Sequence, residues 1–294
     1  MKIAYLIAAH GNYRHLERLI KALNEGDCVF YIHIDKQSLL PDIKGENIIF
    51  LSERVKVKWS GFSLVQVAIN LLQRAFEDGC DYYALISGAD YPIKPNSYLL
   101  ELLQQGGEHI QIQKMGADPY APLSRYKYYY FTDFYNRRNK SSIKTKFFLA
   151  LQKNLRKLKI KKQIPFQLYT GAQWFVLSKQ CVEYISNEIK RNKKYRQFFL
   201  FGFCSDESFF QTIIGNSEFR NNVKGNLTYT DWSVNPGPTR IGKHHVPVLK
   251  ASDKFFARKF DDNSAEIIDA IDRELRTDKN LPIENCKEEQ TVSK

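Results

Sequence analysis

The sequence predicts an α/β protein with a central, mainly parallel sheet and flanking helices. In the first third of the chain, short apolar runs alternate with amphipathic segments of helical length, as in sheets whose parallel strands are joined by helices. The 294 residues, 43% of them hydrophobic, are enough for a full core. No apolar run approaches the roughly 20 residues that cross a bilayer, which argues against an integral membrane protein.

Hydrophobic periodicity defines the individual elements. Apolar runs predict four strands in the first third, over 2–8, 28–34, 47–52 and 81–87. Apolar positions at helical spacing predict two helices between them, over 12–24 and 63–76. The second half is less regular and predicts a strand over 171–178 and helices over 179–191, 205–214 and 264–275.

Three candidate site positions follow predicted strands. Asp35 and the turn at Gly88–Asp90 each come immediately after one, and His10 comes two residues after the end of another. In open parallel sheets, ligands bind outside the carboxyl ends of the strands. An aspartate there can accept hydrogen bonds from ribose hydroxyls or a base N–H. His10 and Asp35 are therefore candidates for nucleotide binding, and a turn-forming aspartate with a partly buried histidine is the alternative.

The formal charge of +12 is concentrated in one stretch. Between Phe134 and Val182 there are twelve Lys or Arg residues and no Asp or Glu, which indicates an anionic partner. Within that stretch, 144–162 has the spacing of a basic amphipathic helix. Its apolar stripe comprises Phe147, Leu151, Leu155 and Leu158. We expect either peripheral contact with an anionic membrane through 137–162 or packing of the stripe on the domain. No nucleic-acid-binding module is recognisable.

The five cysteines are scattered and odd in number, without CxxC spacing. That pattern argues against a disulfide framework or a metal cluster and is typical of buried thiols in a reducing compartment. The apolar run after Met1 is too short for a membrane span and lacks a cleavage site. We therefore expect a cytoplasmic protein, at most peripheral on the inner face of the membrane.

Glu207 is the candidate general base. It lies with Asp206 in the predicted first turn of the helix over 205–214, with Ser205 as N-cap. The positive end of a helix dipole favours an ionised carboxylate, and an ionised carboxylate can take a proton from an attacking hydroxyl. Acidic residues in first turns are also common simply as dipole complements.

Lys259 and Arg240 are candidates for neutralising a departing diphosphate, a task that enzymes give either to Mg²⁺ or to fixed cations. An Asp-x-Asp pair after a central strand would suit a metal, but the turn here offers Asp90 alone. We therefore expect no metal and no cofactor. Trp59, Trp174 and Trp232 are candidate platforms for sugar stacking, although we expect at least one of them to serve core packing.

With these residues assembled, the chain resembles the core-2/I-branching β-1,6-N-acetylglucosaminyltransferase family, which also includes peptide O-xylosyltransferases. The resemblance covers about residues 1–276. It rests on eight blocks in the family's order: AYLIAAH, FYIHIDK, VKWSGFSLVQ, LISGADYPIK, GAQWFVLS, SDESFFQT, LTYTDWS and FFARKFD. Animal members carry an amino-terminal anchor and disulfide cysteines that are missing from this sequence, as expected of a bacterial member.

The resemblance implies a GT-A-like nucleotide-binding fold and inverting, metal-independent chemistry. It implies that Glu207 is the base, in a block where Ser205 replaces the family's proline, and that Lys259 binds the donor diphosphate. Arg240 falls on a second diphosphate ligand, at a shorter spacing than the family's. Trp232 falls on an acceptor contact.

We expect one domain over 1–276, with a nucleotide-sugar-binding half at 1–115 and an acceptor and catalytic half at 116–276. The polar tail, 277–294, is expected to be flexible. We also assign Asp90 and Arg125 to the acceptor side, and His10 and Asp35 match the nucleotide side.

The predicted reaction moves a sugar from a UDP-sugar to the hydroxyl of a glycan or lipid-linked glycan, with a β linkage. GlcNAc is the favoured donor sugar and xylose the second. The alternative of another class is a non-catalytic glycan-binding or membrane-binding protein on the same fold, and no role in nucleic-acid binding is expected.

Overall fold

The computed structural model describes residues 1–116, 123–234 and 237–276. Its strands are β1 (Ile3–Ala9), β2 (Cys28–Ile34), β3 (Ile48–Phe50), β4 (Tyr82–Ser87), β5 (Asp90–Pro92), β6 (Gln113–Lys114), β7 (Tyr169–Thr170), β8 (Phe175–Ser178), β9 (Thr228–Thr230) and β10 (Phe256–Arg258). Five of them form the central sheet, in the order β3-β2-β1-β4-β8. The first four are parallel, and β8 pairs antiparallel with β4.

The helices are α1 (Tyr13–Leu23), α2 (Ser63–Phe76), α3 (Asn96–Gln104), α4 (Ser124–Lys127), α5 (Ile143–Lys157), α6 (Lys179–Arg191), α7 (Lys193–Leu200), α8 (Phe209–Gly215), α9 (Val246–Ala251) and α10 (Ala265–Glu274). Those that pack on the sheet cover both of its faces. Side chains alternate along a strand, so in β1 Leu6 joins one core with α2, α6 and α8, whereas Ile7 joins the other with α1, α3 and α10. The α/β class with a mainly parallel sheet and flanking helices is confirmed.

A smaller three-stranded sheet, in the order β5-β10-β9, connects the turn after β4 with two strands from the last quarter of the chain. β10 pairs antiparallel with β5 and parallel with β9, so that Arg258 lies opposite both Asp90 and Thr230. Because β8 and β10 both come from the predicted second half, residues 1–115 and 116–276 contribute together to the cores on both faces of the central sheet. The tail at 277–294 lies outside the described residues.

The prediction of a helix over 205–214 is wrong for the first turn. The chain forms a 3₁₀ turn at Ser205–Glu207 and breaks at Ser208, where φ is −145°, before α8 begins. Ser205 does not cap a helix, because its hydroxyl donates to the carbonyl of Phe199 at 2.7 Å. Glu207 therefore lies in a short turn, and the helix-dipole argument for its ionisation does not apply.

The predicted basic helix over 144–162 ends at Lys157, with Lys159 in the left-handed region at φ 55°. Its apolar stripe is divided: Phe147 and Leu158 are exposed, and Leu151 and Leu155 are half-buried.

Lys162 is buried, with its ammonium donating to the carbonyls of Phe198 and Phe201 at 2.8 and 3.1 Å. Burial lowers its pKa to about 7. Lys162 therefore cannot belong to a membrane-facing basic surface, in contrast to the sequence-based prediction.

The cysteines within the described residues are free thiols. Cys28, Cys80 and Cys181 are buried and Cys204 is partly buried, as the sequence predicted, whereas Cys286 lies outside the described residues. Across the same parts of the chain, none of the helices combines the length and the apolar character needed to cross a membrane.

Candidate functional site

The carboxyl ends of β1 and β2 bring His10 and Asp35 to one edge of the sheet. The amide of Asp35 donates to the carbonyl of Ala9 at 2.9 Å. The Asp35 carboxylate accepts from the amides of Gln37 at 2.7 Å and Val57 at 2.9 Å. His10 is exposed, and its carbonyl accepts from the hydroxyl of Ser38. The two predicted nucleotide-side residues thus lie at the same edge, and Asp35 also organises the loops around it.

A cavity of about 610 Å³ opens beside Asp35, with Lys36, Arg54 and Asn70 in its lining. The Arg54 guanidinium donates to the carbonyls of Ile34 and Asp35. These hydrogen bonds fix the position of Arg54 in the lining of the cavity. We did not identify Arg54 from the sequence, because nothing in its pattern distinguishes it from a surface arginine.

Glu207 is paired with Arg125. The Arg125 Nη1 lies 2.6 Å from Glu207 Oε2, and the two side chains are 23% and 38% exposed. The neighbouring Asp206 points into the protein, where burial and then the charge of Glu207 raise its pKa to about 7. The 3₁₀ turn thus presents one carboxylate, Glu207, to solvent and hides the other. Arg125 orients Glu207, a role that the sequence does not reveal.

The loop before β8 lies against the Glu207 turn. The amide of Gly171 and the hydroxyl of Thr170 donate to the carbonyl of Glu207 at 2.9 and 3.2 Å. Gly171 is required by its contact with a second neighbour, because a Cβ added there would lie 1.9 Å from the carbonyl oxygen of Gln111. The same loop leads into Trp174, which is buried as expected of at least one tryptophan.

Trp174 connects the Glu207 turn to the end of β10. The guanidinium carbon of Arg258 lies 4.5 Å from the centroid of the Trp174 ring, a cation–π contact. The Nε of Arg258 is also 3.2 Å from Asp90 Oδ1. Asp90 is completely buried, so it has no surface for an acceptor. The prediction of a direct acceptor contact at Asp90 is therefore not supported, and its carboxylate instead balances Arg258.

Lys259 follows Arg258 and lies beside the 231–241 loop. Its amide donates to the carbonyl of Thr239, and its carbonyl accepts from the amide of Ile241. Burial lowers the pKa of Lys259, the charges of Arg258 and Arg138 lower it further, and Asp90 opposes them. An anion bound at Lys259 would relieve this repulsion between cations.

Arg240 is next to Lys259 through the same backbone pairing, but its side chain is 74% exposed and pairs with Asp261 at 2.8 Å. The structure therefore brings the two predicted diphosphate ligands together, with Lys259 in the more enclosed position. Arg138 is a cation near Lys259 that sequence reasoning missed, because it belongs to a distant basic run.

Trp232 is 64% exposed on this loop. The base of the loop is fixed by Asp231, whose Oδ2 lies 3.0 Å from His245 Nε2. Because His245 Nδ1 accepts from the amide of Gly242, Nε2 carries the proton and donates to Asp231. The hydrogen bonds from His245 and Ser233 lower the pKa of Asp231 to about 2. Trp232 is thus held at the Lys259 side of the site.

Trp59, the third tryptophan, is 55% exposed and packs edge-on against Phe203, with ring centroids 6.1 Å apart. Phe203 lies two residues before the turn that carries Glu207. Within the ranges that the structure describes, no three His, Cys, Asp or Glu side chains are grouped so that they could hold a metal ion.

Comparison with known proteins gives a consistent result. The model of the family "Core-2/I-Branching enzyme" matches residues 3–257. The chain is 26% identical to xylosyltransferase 2 of Rattus norvegicus over 308 residues, covering 94% of this chain and 34% of that protein. It is 28% identical to xylosyltransferase 1 of Rattus norvegicus over 312 residues, covering 94% and 35%. For xylosyltransferase 2 of Homo sapiens the identity is 26% over 311 residues, covering 94% and 34%.

The chain therefore spans about a third of the length of these curated relatives. The family match covers most of the chain, and the α/β architecture with a mainly parallel sheet is the GT-A-like arrangement expected of that family. On both grounds, the chain belongs to the core-2/I-branching family of glycosyltransferases.

Proposed function

We propose that this protein is an inverting glycosyltransferase that moves a sugar from a UDP-sugar to the hydroxyl of an acceptor glycan. The observation that carries the proposal is the connection between an exposed carboxylate and an enclosed cation. The backbone of the Glu207 turn accepts from the loop that leads into Trp174, and the Trp174 ring contacts Arg258, the residue directly before Lys259. An in-line displacement requires a general base and a diphosphate-binding cation, and Glu207 and Lys259 are side chains of these two kinds.

In the proposed reaction, Glu207 takes the proton of the acceptor hydroxyl while the oxygen attacks the anomeric carbon. The bond between that carbon and the diphosphate oxygen breaks, and UDP leaves with the electron pair. An α-linked donor then gives a β-linked product. Arg125 holds the Glu207 carboxylate in place through the ion pair between them.

Lys259 and Arg240 supply the positive charge that the departing UDP needs. Preorganised cations of this kind stabilise developing charge without reorganisation during the reaction. Asp90, the carboxylate at the turn where a metal ligand would be expected, is engaged by Arg258. These contacts support metal-independent transfer.

The donor sugar is proposed at the level of the family. The sequence favours GlcNAc as the donor sugar. The similarity to proteins named xylosyltransferases supports xylose equally well. The two sugars differ at two positions of the ring, and specificity for groups of this kind rests on a few hydrogen bonds.

The proposal is tested by incubating the protein with a panel of UDP-sugars and glycan acceptors, with and without EDTA, and following UDP release by mass spectrometry. We expect release with UDP-GlcNAc or UDP-xylose, unchanged by EDTA, and a β-configured product by NMR. A strict requirement for Mn²⁺ or Mg²⁺ would contradict the metal-independent mechanism. Saturable UDP binding without transfer from any donor would favour a non-catalytic binding protein.

We also propose that α5 supports peripheral contact with an anionic membrane. Phe147 in α5 and Leu158, directly after the end of α5, belong to the predicted apolar stripe and are exposed. Lys144 and Lys146, near the start of the same helix, are exposed as well. Basic residues near an anionic leaflet contribute roughly 1 kcal/mol each, screened by salt. Co-sedimentation with anionic liposomes at low salt, lost at high salt, is expected. Equal behaviour with neutral vesicles would contradict the electrostatic part.

A further inference from the structure

A basic cavity lies between α5 and the chain segment 128–137, outside the site described above. Its volume is about 520 Å³, within the range usual for small-ligand sites. Four basic side chains and two tyrosines dominate its lining: Arg137, Lys153, Arg156, Lys157, Tyr130 and Tyr135.

The positive charge of this cavity has no internal counter-charge. Among the described residues none of the four basic side chains forms an ion pair with a carboxylate, and no Asp or Glu occurs between Phe134 and Val182. The guanidinium groups rest on aromatic rings instead, with Arg156 5.0 Å from the Tyr130 centroid and Arg137 4.6 Å from that of Phe203. Stacked in this way, they keep N–H groups available for an anion.

The cavity adjoins the Glu207 side of the site. The rings of Tyr130 and Phe203 are 5.3 Å apart. The amide of Phe203 donates to the carbonyl of Arg125 at 3.1 Å, and Arg125 in turn pairs with Glu207. A ligand in the cavity would therefore extend toward the base, which acts on the acceptor, while Asp35 and its cavity lie at the nucleotide edge.

We propose that this cavity binds an acidic oligosaccharide, as the part of the acceptor remote from the reacting hydroxyl. Carboxylate groups would pair with the arginines and lysines, and the C–H faces of the sugar rings would pack on the tyrosines. The inference rests on the proposed function, because it assigns this cavity to the acceptor of the same reaction.

Two charge-matched double variants of α5 test the inference. Lys153→Gln with Lys157→Gln removes two charges from the cavity, and Lys144→Gln with Lys146→Gln removes two from the same helix outside its lining. All four side chains are exposed, so we expect the melting temperature to stay unchanged in both variants. The probes are a galacturonic acid hexamer and neutral chitohexaose, measured by titration calorimetry at low salt.

We expect wild type to bind the acidic hexamer and not chitohexaose. Losing two exposed ion pairs should weaken binding roughly tenfold in the cavity variant and by less than about threefold in the control. An equal loss in both variants would show a nonspecific charge effect and overturn the inference, as would equal binding of the two sugars. UDP binding checks the proposed function separately: a wild type that binds UDP but not the acidic hexamer contradicts this inference alone.

Discussion

Replacing Asp90 with asparagine should strongly destabilise the protein. Asp90→Asn preserves the shape of the side chain and an acceptor for the amide of Ser87, which lies 2.8 Å from Asp90 Oδ2. It removes the charge that balances Arg258, whose side chain is only 13% exposed. Removing one partner of a buried ion pair costs about 3–5 kcal/mol, because the other charge stays buried without compensation. That is a large part of a total stability of about 5–15 kcal/mol.

The free energy of unfolding in urea measures this effect. Glu17→Gln is the matched control, because Glu17 pairs with Lys21 at 2.9 Å on the surface of α1 and such pairs contribute about 0.5 kcal/mol or less. Adding Arg258→Met to Asp90→Asn should recover part of the loss, with a coupling energy of about 1–3 kcal/mol. A cost below about 1 kcal/mol for Asp90→Asn, comparable to the control, would refute the argument that this pair stabilises the site.

Two further predictions concern charge in the site. Lys259→Ala should weaken UDP binding by about tenfold or more and also reduce turnover. Arg240→Gln, at an exposed position, should have a smaller effect on both UDP binding and turnover. A larger loss of UDP affinity for Arg240→Gln than for Lys259→Ala in calorimetry would contradict the assignment of Lys259 as the main diphosphate ligand. The pKa of Asp206 is raised to about 7 in the folded protein, compared with about 4 in the unfolded chain. Between these two pH values the folded protein binds a proton at Asp206 that the unfolded chain has lost. The folded protein therefore loses stability as the pH rises from about 4 to about 7, by at most about 4 kcal/mol. Asp206→Asn should therefore raise the melting temperature at pH 8 and leave it nearly unchanged at pH 4; equal shifts at both pH values would contradict this.

The sequence predicted the sheet well because its strands are buried on both faces. Continuous apolar runs such as 28–34 are typical of that arrangement, and the residues that follow them, His10 and Asp35, meet at the expected edge. The shorter β3 and the early end of α5 are boundary differences, which periodicity alone determines poorly.

The contacts that connect the site could not be predicted in this way. Arg258 meets Asp90 through the register of β10 and β5, and Trp174 lies under Arg258 because β8 joins the sheet beside β4. These pairings join distant parts of the chain, and no local pattern specifies them. The break at Ser208 was missed for a related reason, since Phe209 and Phe210 continue the apolar pattern of a helix while the backbone does not.

The most direct test of the proposed mechanism is the turnover of Glu207→Gln at saturating substrates, alongside its affinity for UDP. The glutamine keeps the size of the side chain and an acceptor for Arg125 but cannot take the proton. Loss of a general base typically lowers the rate by about 10²–10⁴-fold, and we expect a kcat reduced by that factor with a Kd for UDP within about twofold of wild type. Glu183→Gln, on the exposed side of α6, should match wild type in both. A Glu207→Gln protein that keeps more than about a tenth of wild-type turnover would contradict the assignment of Glu207 as the base.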